Sequence, residues 1–120
     1  MDTRRRILSL AMIGLGIAGL LFSRHHVGTG EAFLRAYGAN ITFSFAAFFL
    51  IALFGKTWSA LRRDGVVALV AFLGVGGQEM AQLVGLYPGV YDPRDLLFDA
   101  LGVAAGWGIS AVARRWCAAP

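Results

Sequence analysis

Charged residues are scarce in this chain: Asp, Glu, Lys and Arg together make up 15% of its 120 residues. Soluble domains carry about 25%. Apolar residues make up 58% of the sequence, which is more than a soluble chain of one-domain length can bury away from water. The shortage of charge therefore excludes an ordinary soluble globule and predicts a single integral membrane domain, residues 1–120.

Cysteine is nearly absent, since the chain has only Cys117. One cysteine cannot form an internal disulfide or a CxxC metal site, and no histidine stands beside it to activate the thiol. Cys117 is interpreted as an incidental thiol. Neither a disulfide framework nor a thiol-based catalytic site is expected.

Charged residues divide the chain into four long apolar segments. The predicted spans cover about residues 7–23, 36–55, 65–87 and 96–113. A hydrocarbon core about 30 Å thick needs roughly 17–25 helical residues, and a single span must satisfy its own backbone hydrogen bonds. The sequence therefore predicts an all-α fold, a bundle of four transmembrane helices.

The basic residues are distributed unevenly between the segments that flank these spans. The N-terminal segment, the 56–64 loop and the C-terminal segment hold eight of them, whereas Arg24, Arg35 and Arg94 stand on the opposite side. Because Lys and Arg concentrate in cytoplasmic loops, both termini are predicted to be cytoplasmic, in a multi-pass protein of the inner (plasma) membrane. The basic residues behind the net charge of +4 are therefore interpreted as determinants of orientation in the membrane. No nucleic acid partner is expected.

Two carboxylates interrupt the apolar spans, and both lie in the second half of the chain. Glu79 belongs to the third span and Asp99 to the fourth, and a charge at such a place costs about 2.5–3.5 kcal/mol, which makes it a functional candidate. Gln82 follows Glu79 by one turn, and Asp95 precedes Asp99 by one turn. If the third and fourth spans form a tight antiparallel hairpin, these four side chains and Arg94 converge near the outer surface.

A stripe of small residues continues the Asp99 face of the fourth span. Gly102 and Gly106 have the GxxxG spacing that allows another helix to approach closely. Both glycines are therefore predicted to be helix-packing residues. The expected partner is the third span, through the face that carries Glu79 and Gln82.

Three interpretations of the five polar side chains stay open. They form a hydrogen-bonded clamp between helices, or bind a polar ligand or lipid headgroup, or hold a hard cation through carboxylate oxygens. Because no histidine is close to them, a metal is not the expected ligand. No cofactor is predicted either.

The stretch of residues 79–106 resembles the VanZ-like family of small integral membrane proteins. The family pattern is a Glu-x-x-Gln pair late in one helix, an Arg-containing loop, and Asp-x-x-x-Asn-x-x-Gly-x-x-x-Gly at the start of the last helix. Asp99 stands where the family usually has Asn. The resemblance implies an envelope-associated membrane protein and supplies no reaction. The matching residues are Glu79, Gln82, Arg94, Asp95, Gly102 and Gly106.

The sequence leads us to expect one of two classes of function. A third class is possible but less expected. The first is a VanZ-like membrane protein whose outward-facing polar cluster binds a lipid headgroup or polar ligand. The second is a small accessory subunit of a larger membrane complex, or a homo-oligomer. An enzyme acting on a lipid-linked substrate is less expected, because no Ser/His/Asp set is visible, although acidic residues can do acid–base work. Membrane lipids are the partners common to all three.

Overall fold

The computed structural model describes residues 3–86 and 92–118, without the side chains of residues 56, 117 and 118. The Cys117 thiol and the predicted end of the third span at Tyr87 lie outside the described residues. Within these ranges the chain is helical and has no strand. Four helices are long and apolar enough to cross a membrane, which confirms the all-α fold and the four predicted spans. They are α1 (Thr3–His25), α2 (Glu31–Gly55), α3 (Asp64–Leu83) and α4 (Pro93–Ala118).

The helix ends depart from the predicted spans for identifiable reasons. α3 ends at Leu83 because Gly85 adopts a left-handed φ of 80°. The amide of Leu86 then donates to the carbonyl of Ala81 (2.8 Å), and the amide of Gly85 donates to that of Gln82 (3.2 Å), as in a Schellman motif. At the other end of the connection, Asp92 accepts the Arg94 amide (2.9 Å) and caps the start of α4.

α2 is the central helix of the bundle. It packs against α1 on one side and α4 on the other and also contacts α3, which packs on α4. α1 makes almost no direct contact with α3 or α4, and the molecule is correspondingly flat, with extents of 47 × 35 × 17 Å. The core between α2, α3 and α4 therefore depends on the apolar side chains of α2. Its largest fully buried side chains include Phe48, Phe49 and Val67.

The small-residue stripe of α4 packs against α2, whereas the sequence predicted α3 as its partner. A Cβ added to Gly102 would overlap the Ser44 hydroxyl and the Ile41 carbonyl, and one added to Gly106 would lie 3.0 Å from Phe48. Ser44 donates to the carbonyls of its own helix, at 2.5 Å for Asn40, so its hydroxyl is satisfied at this close contact. Both glycines therefore lie at a close contact with α2 and not with the predicted partner, because residue spacing does not encode which helix comes near.

α1 uses a similar surface against α2. Its buried residues are Ser9, Gly16 and Ser23, spaced by seven, which is the repeat of a left-handed helix crossing. A Cβ on Gly16 would lie 2.9 Å from that of Ala46, and Ser23 packs directly on Gly38. Small residues thus let both α1 and α4 approach the central helix closely.

One buried carboxylate, Asp64 at the start of α3, joins three helices at what we call the basic end of the bundle. Asp64 is 8% exposed and forms ion pairs with Arg5 of α1 (3.0 Å) and Arg114 of α4 (2.9 Å). Ser110 donates a hydrogen bond to the same carboxylate (2.8 Å), and both arginines also donate to the Arg62 carbonyl. Since Arg5 opens α1 and Arg114 lies near the end of α4, the described ends of the chain meet at the basic end.

Removal of the Asp64 carboxylate is expected to destabilise the bundle strongly. In Asp64→Ala the two arginines and Ser110 lose their shared acceptor, so the free energy of unfolding should fall by about 2 kcal/mol, allowing for the partial exposure of the arginines. Thermal unfolding in detergent measures this change. Glu31→Gln is the control, because the exposed Glu31–Arg35 pair should contribute only about 0.5 kcal/mol. Equal effects of both substitutions would contradict the role of Asp64.

Two glycines of α4 provide a matched pair for testing helix packing. Gly102→Ala should lower the free energy of unfolding by about 2 kcal/mol, because the new methyl group overlaps α2. Gly108 has no atom within 4 Å of an added Cβ, so Gly108→Ala should leave stability unchanged or raise it by up to about 1 kcal/mol. Thermal unfolding of both variants measures the contrast, and destabilisation by Gly108→Ala alone would contradict the assignment.

Candidate ligand-binding site

A polar cavity of about 220 Å³ lies at the end of the bundle opposite Asp64, which we call the acidic end because it carries Glu79, Asp95 and Asp99. α1 and α3 both line this cavity and both pack on α2, with almost no direct contact between them. Glu79 lies four residues from the end of α3, a distance of about 6 Å at about 1.5 Å per residue. All four helices line the cavity. The lining residues are Leu20 and Arg24 of α1, Ala39, Asn40 and Phe43 of α2, Val75, Gln78 and Glu79 of α3, and Asp99 of α4.

Glu79 is the most unusual group in this cavity. Its side chain is 6% exposed, and its Oε2 atom has no hydrogen-bond partner among the described residues. A buried polar atom without a partner loses its hydration and gains nothing in return, so such atoms are rare and need an explanation. A ligand that donates a hydrogen bond inside the cavity would satisfy this oxygen.

Asp99 places a second carboxylate on the same cavity from the opposite helix. It is 3% exposed and lies within electrostatic range of Glu79 and Asp95. The sequence-based proposal that these carboxylates of α3 and α4 come near one another is consistent with this geometry. Two acidic side chains around a small volume make it a place of negative potential that attracts a positive group.

Arg24 supplies a positive charge at the same cavity. The sequence predicted no site role for it and placed it only among the basic residues on the outer side. It belongs to the last turn of α1, is exposed, and has no hydrogen bond or ion pair with any residue that the structure describes. Gln78 and Asn40 also line the cavity and were not predicted. The only sequence signal for Arg24 was its position at the same predicted membrane surface as Glu79 and Asp99.

The other predicted site residues form a contact between α2 and α4 beside the cavity. Asn40 donates to the Asp95 carboxylate (2.8 Å), and Arg94 donates to the Tyr37 hydroxyl (3.3 Å). Tyr37 also stacks on Phe98, with ring centroids 4.4 Å apart. Asp95 and Arg94 therefore tie the two helices together.

The backbone of α2 changes geometry at this contact. Residues Leu34–Gly38 form a π-helical turn between the α-helical segments Glu31–Phe33 and Ala39–Ala52. Such a turn rotates the residues before it relative to those after it, and it often occurs at functional sites. Here it ends two residues before Asn40, which both lines the cavity and bonds Asp95.

Gln82 is partly buried on α3 and is not among the residues that line the cavity. The other four predicted residues divide into two sets. Glu79 and Asp99 face the cavity, whereas Arg94 and Asp95 bond to α2 beside it. The cavity adds Arg24 to the acidic pair.

The chemistry of the cavity is that of recognition by charge and hydrogen bonding. Carboxylate oxygens accept hydrogen bonds from ammonium or hydroxyl groups, and a guanidinium donates to phosphate or carboxylate. Within residues 3–86 and 92–118 no group of three or more His, Cys, Asp or Glu side chains is arranged to hold a metal ion.

Comparisons with known proteins return no relative of this chain. No protein-family model matches it, and neither a curated protein nor a solved structure does. The cavity and its charges are consequently the basis for assigning a function.

Proposed function

We propose that this chain is a VanZ-like, envelope-associated protein of the inner membrane that binds the headgroup of a membrane lipid, or a comparable polar ligand, in the cavity at its acidic end. The observation that carries this proposal is the Glu79 Oε2 atom, which is buried against the cavity and has no partner among the described residues. The VanZ-like pattern of residues 79–106 supports it, because both Glu79 and Gly102 belong to that pattern.

The place of the cavity supports a lipid as its occupant. It lies within about two turns of the ends of α3 and α4, at the depth where lipid headgroups meet the hydrocarbon core. Its volume of about 220 Å³ equals that of roughly seven water molecules at about 30 Å³ each, which suits a small headgroup. Leu20, Phe43 and Val75 provide apolar walls beside the charged groups.

A purely structural clamp fits these contacts less well. A buried carboxylate stabilises a bundle when its oxygens have partners, as both oxygens of Asp64 have at the basic end. Glu79 instead leaves one buried oxygen unsatisfied. Such a group lowers stability, and natural proteins retain destabilising polar groups mainly where function requires them.

The proposal includes an orientation in which the acidic end faces outward and both termini are cytoplasmic. The uneven distribution of Lys and Arg supports it, because the basic end carries the larger number and anionic lipids and membrane insertion favour basic residues on the cytoplasmic side. We expect a reporter that is active only outside the cell to be silent when fused after Pro120. Activity of that fusion would contradict the orientation.

Substitution of Glu79 separates ligand binding from structural support. Glu79→Met keeps a side chain of similar length and removes the unpaired oxygen, so the lipid-stripped variant should unfold with a free energy about 1–2 kcal/mol higher than the parent chain. The same variant should lose most of the lipid that copurifies with the parent. Thermal unfolding and mass spectrometry of extracted lipids measure the two effects.

Glu31→Gln is the control for this experiment, because Glu31 is a carboxylate at the same end of the bundle that pairs with Arg35 on the surface. It should lower the free energy of unfolding by no more than about 0.5 kcal/mol and leave the bound lipid unchanged. If Glu79→Met lowers the free energy of unfolding and retains its lipid, Glu79 belongs to a clamp and the proposed function is wrong.

A second candidate function, an accessory subunit of a larger complex or a homo-oligomer, is favoured by one feature of α4. Its outer face carries a shallow apolar groove of about 770 Å³ in which Gly108 and Ala105 leave room beside Trp116. Such small residues allow another transmembrane helix to pack closely. Purification in mild detergent tests this candidate, and a lone chain of 12.8 kDa would count against it.

A further inference from the structure

We infer that the occupant of the cavity is an amine-bearing zwitterionic phospholipid headgroup, of the phosphoethanolamine type, whose ammonium lies between Glu79 and Asp99 and whose phosphate contacts Arg24. This inference rests on the proposed function and specifies its ligand. It depends on the placement of one unpartnered buried carboxylate oxygen, a second buried carboxylate and a cation around a single small cavity.

The two carboxylates define the positive part of the ligand. Glu79 and Asp99 project from different helices to one cavity, and both are more than nine-tenths buried. A primary ammonium has three N–H donors and can bond both side chains at once. A quaternary ammonium carries the same charge without any donor, so it would leave the Glu79 oxygen desolvated and unbonded.

Arg24 defines the negative part of the ligand. Its guanidinium has no ion pair with Glu79, Asp99 or any other described residue, although it lines the same cavity. A guanidinium binds phosphate through two parallel hydrogen bonds, which makes arginine the preferred residue for phosphate recognition. Since Arg24 lies in the last turn of α1, the phosphate would stay near the membrane surface while the amine reaches inward.

Other headgroup chemistries satisfy only part of the site. An anionic phospholipid without an amine would bind Arg24 and leave the two carboxylates facing each other without a positive partner. A simple inorganic cation would neutralise the carboxylates and leave Arg24 unpaired. The small volume of the cavity also favours the short phosphoethanolamine group over a glycopolymer.

A lipid reaches this site from the side. α1 and α3 both line the cavity and make almost no direct contact with each other, and both carry exposed apolar side chains such as Leu21 and Leu73. The acyl chains would remain among the surrounding lipids along these side chains while the headgroup occupies the cavity. This arrangement requires no opening of the basic end, where Arg5 and Asp64 join α1 to α3.

Native mass spectrometry of the full, lipid-stripped chain tests the inference. Equal concentrations of phosphatidylethanolamine, phosphatidylcholine and phosphatidylglycerol with identical acyl chains are offered in separate titrations, and soluble phosphoethanolamine is a fourth ligand. We expect phosphatidylethanolamine to bind at least about tenfold more tightly than the other two lipids, because only it forms charge-assisted hydrogen bonds at both parts of the site.

Substitutions assign the two parts of the headgroup to their residues. Arg24→Gln should weaken phosphatidylethanolamine binding about tenfold, whereas Arg35→Gln, an exposed arginine at the same end that pairs with Glu31, should not change it. The double substitution Glu79→Gln and Asp99→Asn should abolish the preference for phosphatidylethanolamine over phosphatidylcholine. Circular dichroism and the melting temperature of each variant establish that it is folded.

Three outcomes would overturn the inference, and the first two leave the proposed function standing. Equal binding of all three phospholipids that still depends on Glu79 would retain a headgroup site and reject the amine as its determinant. Tighter binding of soluble phosphoethanolamine than of the lipid would reject the membrane as the source of the ligand. Absence of any saturable binding would overturn the inference and the proposed function together.

Discussion

The pairing of Asp64 with Arg5 and Arg114 is the contact on which the arrangement of the helices depends. α1 packs mainly on α2, and among the described residues the Arg5–Asp64 ion pair joins α1 to α3. Arg114 and Ser110 bring α4 to the same carboxylate. Because a buried carboxylate is stable only when its oxygens are bonded, Asp64 requires all three helices to meet at the basic end. Among the described residues no ion pair joins α1 to α3 at the acidic end, where the cavity lies.

The rest of the bundle follows from how helices associate in a lipid environment. Apolar side chains gain little by leaving lipid for a protein interior, so close packing and hydrogen bonds hold the helices together. Gly16, Ser23, Gly102 and Gly106 provide these close contacts with α2. Large apolar residues of all four helices remain on the outer surface. α2 is central because its own small and hydroxyl-bearing residues receive the stripes of both α1 and α4.

The two ends of the molecule use charge in opposite ways. At the basic end, both oxygens of one carboxylate are bonded by two arginines and a serine. At the acidic end, Asp95 is bonded by Asn40, but Glu79 keeps an oxygen without a partner and Arg24 faces the same cavity. One buried carboxylate of this chain therefore has partners for both oxygens, whereas another keeps an oxygen without a partner. The unpartnered oxygen lowers the stability of the fold, and such a local cost is typical of a binding site.

The sequence by itself determined the class of protein, the four spans and the two carboxylates inside them, because hydropathy, helix length and the cost of an intramembrane charge are local properties. It also identified Gly102 and Gly106 as packing residues, since GxxxG spacing has the same meaning on any helix. Only the tertiary structure decided that this stripe faces α2, that Asp64 joins three helices, and that Arg24 shares a cavity with Glu79 and Asp99. Those relations depend on which helices are neighbours and how each is rotated about its axis. No spacing within one helix specifies these quantities.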